Sequence, residues 1–444
     1  MNFAKAEKYL LSLGNEVSAM KLGLETMQKL LAALDKPHEK YLKVQVAGTN
    51  GKGSVCAFLD AICRRAGIKT GVTTSPHLVS ITERVRIDGC DISDEDFARH
   101  ATLVRETSEM LVADGILETV PTYFEQVTAI ALAAFAEAKI DLAILETGLG
   151  GRLDATTAAE AEIVAITRID LDHQKYLGDT IAAIAAEKAA IIRPDTRVCV
   201  GRQPPEAFVI IAEKCADVGV RSKTLESARW EKPSPGKVDF IIGEFRAEEV
   251  MLSLEGDHQY ENAALAVLIA EQLETYFPIS KTDIINGLEN ARHHGRLEWL
   301  TDGKTEILLD GAHNRGGAGA LARFLRVYLP NASIALVYGS MNDKDFKSIL
   351  EILLPLITDL ILTDIPVPRS MSSADMAKTL TTSANRKDRV FVVSEVRDAL
   401  DSAIHLSENY PATRRSVILV TGSLYLVGEV KKLLLAEKDK TSVV

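Results

Sequence analysis

Seven consecutive residues, Gly48-Thr49-Asn50-Gly51-Lys52-Gly53-Ser54, combine glycines, an amide, a lysine and hydroxyls between a β-rich run at 41–46 and a helix-compatible stretch at 55–66. A strand that turns through glycines into a helix gathers backbone N–H groups and a helix N-terminus around one point. Lys52 adds an ammonium there and Ser54 a hydroxyl. A nucleoside triphosphate with Mg2+ satisfies all four: glycines allow close backbone approach, Lys52 neutralises the β and γ phosphates, and Ser54 ligates the metal. The plain alternative is a glycine-rich turn beside a surface lysine, and the flanking strand and helix weigh against it. The spacing departs from G-x-x-x-x-G-K-[ST], since Val46 stands where the first glycine belongs and Gly53 separates Lys52 from Ser54. An ordinary P-loop NTPase is therefore disfavoured. Farther along the chain an acid, Glu146, closes the apolar run 142–145, so its carboxylate should emerge at the carboxyl edge of a sheet. A hard cation there takes oxygen ligands. Alone, Glu146 reads as a solvated loop acid, but the following Gly148-Leu149-Gly150-Gly151 implies a backbone pressed against something.

These groups need a scaffold. Strand and helix patterns alternate: helix 124–138, strand 142–145, strand 163–167, helix 181–192, strand 197–200. The alternation predicts α/β architecture with a mostly parallel sheet. Residues 21–34 carry helical periodicity, and the texture at 225–254 suggests a small antiparallel excursion before an Ala-rich helix at 260–273. From 307 the alternation restarts: strands at 307–309, 333–337, 360–363, 390–393 and 417–420, with helices at 317–329 and 346–354. At 444 residues, two domains are expected: a larger N-terminal P-loop-type domain at 1–292 and a smaller Rossmann-like α/β domain at 299–444, joined by a linker at 293–298. Residues 438–444 read as a frayed tail.

Composition narrows the partners. With 47% hydrophobic and 25% charged residues the chain reads as an ordinary globular protein, and its net charge of −11 argues against a broad nucleic-acid or anionic-membrane surface. Cys56, Cys63, Cys90, Cys199 and Cys215 are odd in number and lack C-x-x-C spacing, so reduced thiols and a cytoplasmic location are expected. No apolar run approaches a membrane span, and the first 30 residues have no signal-peptide core.

The loop variant G-T-N-G-K-G-S resembles the Mur ligase superfamily, and later segments narrow the likeness to folylpolyglutamate synthase/dihydrofolate synthase. Those segments are Thr74-Ser75-Pro76-His77-Leu78 with Glu83-Arg84-Val85, the run from Glu146 through Asp154-Ala155-Thr156, Asp172-His173, Glu187-Lys188 and His258-Gln259-Tyr260-Glu261-Asn262. Gly295-Arg296-Leu297-Glu298, Asp310-Gly311-Ala312-His313-Asn314 and Thr421-Gly422-Ser423-Leu424-Tyr425 continue the order. The resemblance implies that Thr49 to Ser54, Asn262, Arg296 and Asp310 bind ATP, and that Ser54, Glu146 and His173 hold Mg2+. It admits a monovalent cation beside the Mg2+. It places Lys52 and His313 at the transferred phosphoryl group, Ser75, His77 and Arg84 toward the folate, and a carbamylated Lys188 facing the metal. From the residues alone Lys188 reads as a surface lysine, Arg296 equally as a linker ion pair, and His77 equally as a loop histidine.

The implied reaction adds L-glutamate to dihydropteroate or to the γ-carboxylate of a reduced folate through an acyl phosphate. A two-domain clamp hinged near 294–296 would keep water from the intermediate. No nucleic-acid or membrane partner is expected, and a monomer is the default. Another Mur-type ligase with a different carboxylate acceptor is the alternative; a cell-wall ligase is disfavoured because 47 residues before Gly48 are too few for its UDP-binding domain. A non-catalytic nucleotide switch would not need Asp310 and His313. Asp170, Thr157, Ala190, His294 and Arg315 depart from the family pattern, which leaves local loop geometry open without removing an assigned group.

Overall fold

Strands buried along their whole length need helices on both faces, and the chain meets that need twice. The computed structural model describes residues 1–14, 23–234, 236–303, 305–380 and 389–441. Two units separate: Met1–Asp170 with Gln174–Ser253 and Gln259–Arg292, and Leu171–His173 with Leu254–His258 and His293–Val444.

In the first unit, chain order gives β1 (Leu42–Ala47), β2 (Thr70–Thr73), β3 (Arg86–Ile87), β4 (Cys90–Asp91), β5 (Leu142–Glu146), β6 (Ile163–Ile166), β7 (Arg197–Val200) and β8 (Ser222–Thr224). Among the described residues they form one eight-stranded sheet in the order β4-β3-β2-β5-β1-β6-β7-β8. Pairing is parallel from β2 through β8, and β3 and β4 add an antiparallel margin. From β1 the chain crosses to β2 on one side and later returns to β6 on the other. The carboxyl end of β1 is thus the point where strand order reverses, the usual ligand position in open α/β sheets. Helices Phe3–Ser12, Asp94–Ala113 and Tyr123–Ala138 contribute to one apolar layer with Ala143 and Leu145 of β5. A separate layer joins Val164, Ile166 and Val198 to Ile184 and Ile211 of helices Ile181–Ala189 and Pro205–Asp217. The expected excursion is a three-stranded antiparallel sheet of β9 (Arg229–Glu231), β10 (Val238–Ile242) and β11 (Phe245–Val250).

The second unit contains β12 (Glu298–Asp302), β13 (Thr305–Leu309), β14 (Ser333–Tyr338), β15 (Asp359–Leu362), β16 (Val390–Val392) and β17 (Ser416–Thr421). Their order is β12-β13-β17-β14-β15-β16, parallel except for the β12–β13 hairpin. Helices Arg315–Tyr328 and Phe346–Leu353 bury Leu321, Leu325, Ile349 and Leu353 in one core with Leu308, Leu336, Leu360 and Leu419.

Boundaries differ from expectation where turns decide them. The helix expected from 55 begins at Lys52, because Gly51, at φ 93°, turns the chain straight into it. The helix expected over 181–192 stops at Ala189. The helix expected at 21–34 is seen as Glu25–Ala33, with 21 and 22 outside the described residues. Helix Leu424–Thr441 runs into the tail expected to fray from 438, and 442–444 lie outside the described residues. No helix among the described residues is long and apolar enough to cross a membrane.

Candidate active site

At the end of β1, Gly48 and Gly51 carry the chain round with φ of 149° and 93°. A Cβ on Gly48 would lie 1.8 Å from Thr167 Oγ1, and one on Gly51 2.3 Å from Asn262 Oδ1, so neither position admits a side chain. Helix Lys52–Arg65 follows without a side-chain cap, and the Val55 N–H to Gly51 carbonyl bond opens its ladder. The N–H groups of Lys52, Gly53 and Ser54 precede that ladder at the helix's positive end, an anion-binding arrangement. The N–H groups of Thr49 and Asn50 are turned elsewhere: both donate to the Arg168 carbonyl, at 3.1 and 3.2 Å, and the Thr49 hydroxyl bonds the Asp170 backbone. These two residues anchor the loop to the segment after β6. Lys52 is half-buried, with Nζ 3.5 Å from the Thr49 carbonyl.

Glu146 ends β5 in register with Val46 of β1 and is buried, and its Oε2 accepts from the Ser75 N–H at 3.2 Å. Burial first, and then the Glu146 carboxylate, push the Cys56 thiol up while Lys52 opposes them, so both charges act on this first helical turn. Lys188 is only 5% exposed, which overturns the surface reading, and its Nζ donates to the Gly48 carbonyl at 2.8 Å. The glycines after Glu146 do press against something. A Cβ on Gly151 would stand 2.8 Å from the Glu187 carbonyl, and Arg152 pairs with the Glu187 carboxylate at 3.0 Å. Lys52, Ser54, Ser75, Glu146, Lys188 and Asn262 therefore gather round the carboxyl end of β1. Gln259, which sequence reasoning left without a role, is fully buried and donates to Ser54 Oγ at 3.3 Å.

Arg84 is buried, its guanidinium 5.5 Å from the centre of the Tyr123 ring, and its Nε donates to His77 Nδ1 at 2.8 Å. Desolvation of the half-buried ring, and then Arg84, lower His77 to about 3, so the imidazole is neutral with its proton on Nε2. The Glu83 carboxylate accepts from the N–H groups of Leu78, Val79 and Ser80 at 2.8, 2.7 and 2.9 Å, which holds the loop carrying His77.

In the second unit Asp310 follows β13 at the carboxyl edge of the sheet. It is buried and accepts from the N–H groups of Leu297 and Ala312 at 3.1 and 3.0 Å. Burial pushes its carboxyl up and Arg296 leads the opposing effects. A Cβ on Gly311 would meet Arg296 Nη1 at 2.6 Å, so the glycine makes room for that guanidinium. His313 donates from Nδ1 to the Gly311 carbonyl at 2.8 Å, leaving Nε2 3.5 Å from Asp172 Oδ2. Asp172 also accepts from Asn314 Nδ2 at 3.1 Å, Lys344 Nζ at 2.5 Å and the His173 N–H at 2.8 Å. Burial works to raise the Asp172 carboxyl, but His313, Lys344 and His173 outweigh it and hold it well below the usual range. Lys344, whose Nζ lies 3.5 Å from His173 Nε2, was missed because Asp343-Lys344-Asp345 reads as surface charge. Only its 10% side-chain exposure sets it apart. Among the described residues no three His, Cys, Asp or Glu side chains cluster as a metal site, so an ion here needs hydroxyl, phosphate or water oxygens too.

The profile of the Mur ligase middle domain matches residues 46–270, and that of the Mur ligase glutamate ligase domain matches 295–424. The dihydrofolate synthase/folylpolyglutamate synthase of Bacillus subtilis is 33% identical over 93% of this chain and 95% of its own. This chain belongs to the dihydrofolate synthase/folylpolyglutamate synthase family of Mur ligases. Solved members of the family share its fold. Mycobacterium tuberculosis folylpolyglutamate synthase complexed with ADP superposes with a TM-score of 0.90 at 30% identity, over 97% of this chain and 98% of that one. Escherichia coli FolC in complex with DHPP and ADP gives 0.86 at 28% identity, over 99% of each chain.

Proposed function

We infer that this chain is an ATP-dependent ligase that adds L-glutamate to dihydropteroate, to the γ-carboxylate of reduced folates, or to both. The observation that carries this reading is the gathering of an uncapped helix N-terminus, Lys52, buried Ser54 and buried Glu146 at the carboxyl end of β1, in a chain matched along its length by such ligases.

An amide forms at neutral pH only if the carboxylate gains a leaving group. The acceptor carboxylate attacks the γ-phosphorus of ATP, releasing ADP and forming an acyl phosphate; the glutamate amine then attacks the acyl carbon, loses a proton and expels phosphate. Lys52 and the N–H groups of the first helical turn offset the negative charge that develops on the phosphoryl oxygens. We assign the divalent ion as Mg2+, held by Ser54, Glu146 and His173; when bound it supplies further charge neutralisation at the phosphates. Ser54 and Glu146 offer the oxygen donors such an ion takes, and their burial fits a paired charge. A monovalent cation beside it belongs to the same reading. Asn262, Arg296 and Asp310 hold the nucleotide, with Thr49 and Asn50 supporting its loop. His313 faces the transferred phosphoryl group, and Asp172 sets its orientation through the 3.5 Å contact to Nε2. Ser75, His77 and Arg84 orient the folate. Lys188 acts as a carbamate, which turns a buried cation into a carboxylate facing the divalent ion. Residues 1–292 serve as the ATP- and folate-binding domain and 299–444 as the glutamate-ligase domain, with the linker at 293–298 between them. Five free cysteines, four of them buried, support a cytoplasmic location, and we assign a monomer.

Incubation with ATP, Mg2+, L-glutamate and either dihydropteroate or tetrahydrofolate tests this. ADP release matched one to one by glutamylated product is expected with at least one acceptor. No product with either acceptor would sink the assignment.

A further inference from the structure

Gln259 lies in the first turn of helix His258–Leu273 and is fully buried, and both ends of its amide are engaged inside the first unit. Nε2 donates to Ser54 Oγ at 3.3 Å, and Oε1 accepts from Asn262 Nδ2 at 2.9 Å. Ser54 and Asn262 are themselves buried, and Asn262 Oδ1 lies against Gly51, where a Cβ would come within 2.3 Å of it. With Asn262 Nδ2 against Oε1, a flip of the Gln259 amide by itself would set donor against donor, so in this arrangement its donating end faces Ser54.

We propose that Gln259 is a positioning residue that fixes Ser54 as a metal ligand, an inference that rests on the assignment of Ser54 to the divalent ion. A hydroxyl has one proton and two lone pairs. With one lone pair taken by the Gln259 N–H, Ser54 keeps one for a cation and must direct its proton to a third partner, for which a phosphate oxygen is suited. Without the amide the hydroxyl rotates, and orientations with the proton toward the cation oppose binding. Asn262 holds the amide from its other end, so its side chain serves Ser54 indirectly as well as lying against the loop. Gln259 touches no reacting atom and acts through Ser54.

The test measures Mn2+ affinity by electron paramagnetic resonance on the full chain saturated with a non-hydrolysable ATP analogue. Analogue affinity in EDTA is measured separately by fluorescence. Gln259→Met should weaken Mn2+ binding roughly three- to tenfold, the range for loss of one hydrogen bond, and shift metal-free analogue affinity less. Gln259→Asn keeps an amide but lacks the reach to Ser54; it should show the same loss, and it serves if the methionine variant does not fold. In a Ser54→Ala background neither change should add further loss, because the bond they remove is already absent. If Ser54→Ala weakens Mn2+ binding and the folded Gln259 variants do not, or if the two losses simply multiply, the inference alone is overturned. If Ser54→Ala leaves Mn2+ affinity unchanged, the metal assignment fails and the inference with it.

Discussion

Lys188 illustrates what a single buried charge implies. Its Nζ reaches the Gly48 carbonyl at 2.8 Å, yet among its helix neighbours Glu187 faces Arg152 instead. Lys188→Ala should lower turnover roughly a hundredfold or more if the side chain carries a carboxylate toward the ion, and a short carboxylic acid added to the assay should restore part of it. Full activity in the variant would remove the carbamate from the mechanism. His77 yields a pH prediction. The unfolded chain protonates this histidine near 6.5 and the folded chain only near 3, so between those values the unfolded state binds more protons. Stability is therefore fully present above about 6.5 and declines as pH falls toward 3; His258, lowered to about 4 by desolvation and then by Arg296 and Arg323, acts in the same direction. Gln at position 77 keeps an acceptor for Arg84 but does not titrate. Urea unfolding at pH 7 and pH 4.5 should show a smaller acid loss for His77→Gln than for the parent, and equal losses would contradict the neutral imidazole.

The strand–loop–helix element around Gly48 depends on two close approaches. Because a Cβ at 48 would strike Thr167 and the φ of 149° is itself unfavourable for a side chain, Gly48→Ala must displace the turn that aims the first N–H groups of helix Lys52–Arg65. ADP affinity should fall at least roughly tenfold, measured by calorimetry, because groups aimed at an anion lose value quickly with displacement. Unchanged circular dichroism would show that the rest of the sheet is intact, and unchanged ADP affinity would mean the loop is not the phosphate site. The same element was largely legible beforehand: its residue types, the strand before it and the helix after it are local properties of the chain. What was not local was the division of labour within it. Thr49 and Asn50 donate to Arg168, more than a hundred residues away, and no pattern within the loop announces that.

For the whole molecule, the proposed reaction draws on residues of both units and would give the proposed linker at 293–298 a mechanistic role. Inserting two glycines between Arg292 and His293 should lower turnover at least roughly tenfold while leaving the thermal unfolding midpoint nearly unchanged, since it touches neither apolar core. Turnover at the parental level would argue against that role. At this scale the sequence by itself determined the α/β class, the restart of the strand–helix alternation near 307, the phosphate loop and the order of family motifs, because hydrophobic period, glycine spacing and motif order are all written along the chain. Only the tertiary structure decided that Lys188 is buried, that Gln259 joins Ser54 to Asn262, and that Asp172 gathers His313, Asn314 and Lys344. The physical reason is the same each time: a lysine or glutamine has the same local pattern on a surface as in a core, and burial is conferred by partners more than a hundred residues away in sequence.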